Sequence, residues 1–194
     1  MSSAEKLVYY SVEAYLNLED LSSTRSEYMN GLVRAMTGIT NRHNTVSVNV
    51  VVALGRQLKG QICRPFNSYT KIRVRRGEGT CFYYPDASVV CESNLATETF
   101  QDRPVVVIEV LSPSTRAIDL DEKLAAYLSM ESLQAYILPE QSGFLLEVFE
   151  GLTSVIDLPT IGCRLLLDEV YSDVDFTPVS VQETEVTYER TESE

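Results

Sequence analysis

The sequence predicts a mixed α/β (α+β) fold, with a central sheet flanked by helices and a β-hairpin near the start. Three observations carry this. The run Pro104-Val-Val-Val-Ile-Glu-Val-Leu111 is almost continuously apolar, as in a strand covered on both faces rather than one with a wet face. Asn30-Gly31 separates two strand-like runs, Arg25 to Met29 and Leu32 to Met36, and this dipeptide is the strongest short hairpin signal. Apolar residues recur at helical spacing in separate stretches between strand-like segments. With 194 residues and 44% hydrophobic content, the chain can bury one substantial core. Residues 1–181 are read as a single domain and residues 182–194 as an acidic, disordered tail.

The elements follow in order. Ser11 to Glu19 has helical periodicity and leads into the hairpin. After Gly38, either Thr40 or Asn41 can cap a helix whose apolar positions Val46, Val50, Ala53, Leu54 and Leu58 would pack across the sheet. Ile62 to Phe66, Tyr69 to Arg75, Cys81 to Tyr84 and Ala87 to Cys91 read as short strands divided by Gly, Asn/Ser and Pro, several of them neighbours in one sheet. Val105 to Leu111 is the expected sheet centre. Ser112-Pro-Ser-Thr-Arg116 is a turn rich in capping side chains, followed by an amphipathic helix through Leu120, Leu124, Tyr127 and Leu128 that ends near Met130. Ala135 to Leu138 and Phe144 to Phe149 are read as strands around a Gln141-Ser-Gly143 turn, and Leu165 to Tyr171 as a short last helix.

Composition excludes some classes. No run approaches the roughly 18 apolar residues that span a bilayer, so no membrane partner and a cytoplasmic location are expected. Cys63, Cys81, Cys91 and Cys163 lack CxxC spacing, and His43 is the only histidine, so local zinc sets cannot form; the cysteines are read as reduced, mostly buried thiols, with a disulfide as the alternative that no spacing supports. The net charge of −12 argues at first against nucleic acid, yet it is segregated: nine of the sixteen Lys and Arg fall between Tyr28 and Gly77, a stretch without Asp or Glu. Gln182 to Glu194 hold five Glu against Arg190.

Within this frame two acids and a lysine stand out. Burying Glu109 among aliphatic neighbours costs several kcal/mol unless something compensates, and a divalent cation shared with Asp86 would do so. Two carboxylates from adjacent strands can grip Mg²⁺ or Mn²⁺ through oxygen, leaving positions for water and a phosphate oxygen, while a lysine stabilises charge on the reacting phosphate. Each residue also has a plainer reading. Asp86 after Pro85 suits a turn-to-strand position, Glu27 a solvated hairpin, and Lys123 a helix-surface ion pair with Asp119 four residues earlier. His43 suits core packing or a hydrogen bond better than general-base work.

These residues resemble the PD-(D/E)XK nuclease superfamily and, within it, the Uma-type restriction endonuclease family. The resemblance runs from Ser26-Glu-Tyr-Met-Asn-Gly31 and the His43 helix through Tyr84-Pro-Asp86 and Glu109-Val-Leu-Ser-Pro-Ser-Thr115 to Asp119, Lys123, Tyr127 and Leu133-Gln-Ala-Tyr136. It implies a restriction-endonuclease-like core with Asp86 and Glu109 as metal ligands, Glu27 as a third acid and the Val110 carbonyl as a further ligand. Leu111 stands where the superfamily lysine usually lies, two residues after the second acid, and Lys123 is the implied substitute.

Lys71, Arg73 and Arg75 share one face of their strand, opposite Ile72 and Val74, and are read as a stripe contacting the phosphate backbone. The expected function is a metal-dependent endonuclease hydrolysing DNA phosphodiester bonds, with DNA as partner and a symmetric homodimer as assembly. The alternative is a catalytically weakened module of the same fold that binds nucleic acid or a protein.

Overall fold

Both long helices begin where a hydroxyl can cap them. The Ser11 Oγ accepts from the Ala14 N–H at 3.1 Å, opening α1 (Val12–Leu21), and the Thr40 Oγ1 accepts from the His43 N–H at 3.1 Å, opening α2 (Asn41–Gln57). The computed structural model of the protein describes residues 8–141, 146–147 and 155–177. Between the two helices lies the hairpin of β1 (Ser26–Met29) and β2 (Leu32–Ala35). Both turn residues have positive φ, 48° at Asn30 and 103° at Gly31, as this type of tight hairpin requires.

Strands β3 (Arg64–Asn67), β4 (Lys71–Arg76), β5 (Gly79–Tyr83), β6 (Ala87–Val90), β7 (Phe100–Gln101) and β8 (Pro104–Ile108) follow. Of the four short runs between Ile62 and Cys91, several of which were expected to be neighbours in one sheet, β4 pairs with β5 and β3 with β6, and the two pairs lie in different sheets. One sheet has the order β2-β1-β5-β4-β7, while β3 and β6 belong to the other. The division falls at Pro85-Asp86, where the chain leaves β5, paired with β1 and β4, and enters β6, paired with β3 and β8. Proline donates no ladder hydrogen bond, so a sheet boundary there is natural.

The second sheet adds β9 (Ala135–Pro139) and β10 (Leu146–Glu147), in the order β10-β9-β8-β6-β3. As the sequence requires, β8 is central, parallel to β9 and antiparallel to β6. Val106 and Ile108 pack in a core with Val46, Val50 and Leu54 of α2, while Val107 packs in a second core with Ile72, Val74, Tyr83, Tyr127 and Tyr136. Both faces of the strand are therefore covered, which explains its unbroken apolar run.

The helix after the Ser112 turn departs from the expected regular form. Arg116–Ile118 (α3) passes into a π turn at Asp119–Lys123 and then into Leu124–Tyr127 (α4). Tyr136 donates its hydroxyl to the Asp119 carbonyl at 3.0 Å, supplying a partner inside the widened turn. The expected last helix begins later than its periodicity suggested, because β11 (Val155–Leu158) and β12 (Cys163–Leu166) form a hairpin before α5 (Leu167–Val170). Only residues 146–147 of the expected 144–149 strand are described, and the 182–194 tail lies outside the described residues. No helix among the described residues is long and apolar enough to cross a membrane.

The reading of four reduced thiols is also corrected. Cys63 and Cys91 form a disulfide, while Cys81 and Cys163 are free. The antiparallel register of β3 and β6 pairs Arg64 with Val90, so the next residues outward face one another. A separation of 28 residues conceals that register in the sequence.

Candidate metal centre

Asp86 stands between β5 and β6, and two groups fix its carboxylate. His43 Nε2 lies 2.8 Å from Oδ1, and the Val110 N–H donates to Oδ2 at 2.7 Å. His43 reaches it from the first turn of α2, and its Nδ1 has no hydrogen-bond partner among the described residues. Hydrogen bonding, one of the two roles expected for His43, is what the geometry gives it.

Glu109 directly follows the end of β8, where strand pairing continues through its N–H to the Ile137 carbonyl. It is 4% exposed. Lys123 Nζ lies 3.0 Å from its Oε1, and the Tyr127 hydroxyl donates to the same oxygen at 3.3 Å. Val107 and Leu111 pack in the core beneath the helix that carries Lys123. Leu111 thus fills an apolar slot, and the ammonium arrives from the helix laid over that same core.

Lys123 is buried, not on a helix surface. Its Nζ also lies 3.0 Å from Glu27 Oε1 and 3.2 Å from Asp119 Oδ1, so three carboxylates surround one ammonium. Glu27 is buried too, rather than solvated, and its other oxygen pairs with Arg34 at 2.7 Å. Burial works against the Lys123 ammonium, but Glu109, Glu27 and Asp119 outweigh it and hold its pKa above the ordinary lysine range. Burial pushes the Glu109 carboxyl well above the usual range; Lys123 opposes this, and Asp119, Asp86 and Glu27 reinforce it.

Asp86, Glu109, Glu27 and Lys123 all line a single cavity of about 360 Å³. Four buried carboxylates, those of Glu27, Asp86, Glu109 and Asp119, face two cations, Lys123 and Arg34. Arg34 also pairs with Glu122 at 3.2 Å, so acidic oxygens are in surplus here and a cation would find ligands among them. Among the described residues no group of three or more His, Cys, Asp and Glu side chains forms a ready metal cage. Asp86 and Glu109 instead fit the pattern of Mg²⁺, which commonly takes one or two carboxylates and completes its shell with water and phosphate oxygens.

Asp119 and Tyr127 are part of the family resemblance but received no role in the site from the sequence, because an acid four residues before a lysine looks like an ordinary surface pair. Arg34 carried no signal of a site role. The available signal was the spacing of Asp119, Lys123 and Tyr127, which places two charges and a tyrosine on one helix face.

The proposed basic stripe is not an open surface. Lys71 is 4% exposed, with its ammonium 5.3 Å from the centre of the Tyr84 ring. Burial lowers its pKa, with Glu19 and Asp20 opposing. Arg73 is engaged with Asp102 through two bonds, at 2.6 and 2.7 Å, and lies over the Phe100 ring. Arg75 is exposed. Strand alternation placed these three correctly on one face, but the sequence did not show that β7 and its flanking loop cover part of it.

Residues 12–156 match the Uma2 family, described as "Putative restriction endonuclease". The chain belongs to this family. It is 29% identical over 180 residues to the uncharacterized protein slr1290 of Synechocystis sp., covering 86% of this chain and 93% of that protein. A second Synechocystis protein, sll1609, is 26% identical over 139 residues, covering 70% and 77%. Among solved structures, the chain is similar to one described as a putative nuclease belonging to DUF820 from Anabaena variabilis. The TM-score is 0.64 at 18% identity, over 84% of this chain and 98% of that one. The likeness establishes a shared mixed α+β fold.

Proposed function

We propose that this Uma2 family member is a metal-dependent endonuclease that hydrolyses phosphodiester bonds in DNA, using Mg²⁺ or Mn²⁺. The observation that carries this reading is the meeting of Asp86, Glu109 and Lys123 in one cavity whose buried acids outnumber its cations. The family's description and the Anabaena protein's description as a "putative nuclease" point the same way.

In this reading Asp86, Glu109 and the Val110 carbonyl hold the ion. When bound, it supplies Lewis acidity and lowers the pKa of a coordinated water. His43 and the Val110 N–H keep the Asp86 carboxylate in one orientation, the role that outer partners of metal ligands commonly fill. The Tyr127 hydroxyl does the same for Glu109. Lys123, charged throughout the neutral range, stabilises negative charge gathering on the phosphate as water attacks phosphorus and the P–O bond to the leaving strand end breaks. Glu27 holds Lys123 and is itself held by Arg34. DNA backbone contact falls to Arg75 more than to Lys71 or Arg73. A symmetric dimer would present two such sites to two strands.

Supercoiled plasmid incubated with the protein and Mn²⁺ should be nicked, and chelation should stop it. Asp86→Ala, Glu109→Ala and Lys123→Ala are each expected to lower the rate at least about 100-fold, the scale for losing a positioned electrostatic group. Equal nicking by the wild type and all three variants would refute the assignment.

A second reading rests on Leu111, which is buried where the superfamily lysine would stand. In it the fold binds nucleic acid or a protein with weakened chemistry. Salt-dependent DNA binding without metal-dependent nicking would favour it.

A further inference from the structure

Lys123 presents a conflict within its own site. It sits as close to Glu109 as to Glu27, at 3.0 Å in each case. An ammonium resting on Glu109 competes with any cation that Glu109 is to ligate. Something must keep the lysine charged and in place while leaving Glu109 available.

Asp119 meets that need. It is 1% exposed, its Oδ1 lies 3.2 Å from Lys123 Nζ, and it is carried on the π turn that begins at this residue and ends at Lys123. Its backbone is held from two directions: Tyr136 donates to its carbonyl at 3.0 Å, and its N–H donates to the Thr115 carbonyl at 2.9 Å. A buried carboxylate so fixed is a stationary counter-charge, whereas an exposed helix pair would be loose. π turns are often found at functional sites, and this one brings its two end residues together.

We propose that Asp119 is a positioning residue: with Glu27 it shares the Lys123 ammonium, so that Glu109 is free to ligate a divalent cation. This rests on the metal-dependent reading above. Asp119 touches neither metal nor substrate; it acts through Lys123. Lys123 therefore has two opposed effects, promoting attack on phosphate while weakening metal binding. Removing Asp119 lets the lysine lean on Glu109, and removing the lysine removes the competitor.

The test is calorimetric titration of the full chain with Mn²⁺, without DNA, with melting curves confirming that each variant folds. Lys123→Met should bind Mn²⁺ at least about tenfold more tightly than wild type, the scale on which a charge within roughly 4–6 Å alters cation binding to a carboxylate. Asp119→Asn should bind it about fivefold more weakly, as expected for neighbouring charges that couple. Asp119→Glu should restore most of that affinity. In the Lys123→Met background, Asp119→Asn should weaken binding clearly less than it does beside the lysine, leaving only the direct effect of its charge on Glu109. A structural role alone would weaken binding equally in both backgrounds. If Lys123→Met does not fold, the Asp119→Asn and Asp119→Glu pair decides. Wild-type Mn²⁺ affinity in Asp119→Asn overturns the proposal, and if wild type still nicks plasmid the nuclease reading stands. Absence of Mn²⁺ binding in wild type and Lys123→Met alike overturns both.

Discussion

Glu109 sets the balance between stability and chemistry at the level of single side chains. Its folded-state pKa is raised, chiefly by burial. A raised folded pKa gives stability that is complete below the unfolded value, about 4.3 for glutamate, and is lost as pH rises through the folded value. The metal-free protein should therefore melt lower at pH 8 than at pH 5 through this group, and Mn²⁺, which binds the ionised form, should recover the loss. Glu109→Gln removes the buried charge while Lys123 keeps Glu27 and Asp119. It is expected to flatten the pH dependence and to melt at or above the wild type at pH 8 without metal, in melting curves from pH 5 to 8. A Glu109→Gln melting temperature well below wild type at pH 8 would show that the Lys123 pairing outweighs burial. An acid inside an apolar run was readable in the sequence because burial makes it anomalous. Asp119 was not, since depth of burial is invisible in an i, i+4 pair. Lys71 was misjudged for the same reason: strand alternation fixes the side of a sheet, not what lies over it.

Among the elements, the hairpin, the long α2 helix and the central strand were legible because each carries a local signature. These are Asn30-Gly31, the Thr40 cap with its apolar spacing, and the apolar run of β8. Pairing between distant segments was not legible. The split of the short strands into two sheets and the bond between Cys63 and Cys91 both depend on register across tens of residues. That bond closes a loop of 28 residues, for which chain-entropy arguments give about 3.5 kcal/mol. Reduction, or Cys91→Ala, should lower unfolding stability by about that amount in urea titration, with metal affinity unchanged, because the link lies away from the Asp86 and Glu109 cavity lining. A loss of Mn²⁺ binding on reduction would tie the β3–β6 edge to the site. The π turn also had no sequence signature, and both of its end residues, Asp119 and Lys123, are buried by tertiary contacts that the sequence does not display.

Across the whole molecule, charge is arranged more finely than a net value of −12 implies. The acid-free stretch from Tyr28 to Gly77 supplies much of the positive charge, but folding commits part of it inward: Arg34 to Glu27, Arg73 to Asp102, Lys71 against Tyr84. The cavity draws its acids from separate elements, the hairpin, the β5–β6 junction, the end of β8 and the π turn, and this convergence is what marks it as the candidate site. Sequence order alone placed Asp86 and Glu109 on successive strands; only the antiparallel pairing of β6 with β8 brings their ends together. The central claim is that these two carboxylates share one ion with Lys123 beside it. Anomalous diffraction from crystals soaked in Mn²⁺ tests it most directly. The account requires one strong peak bonded to both Asp86 and Glu109 at about 2.0–2.6 Å, with the Lys123 ammonium outside the coordination sphere; a peak that contacts neither carboxylate, or none at all at saturating Mn²⁺, would contradict it.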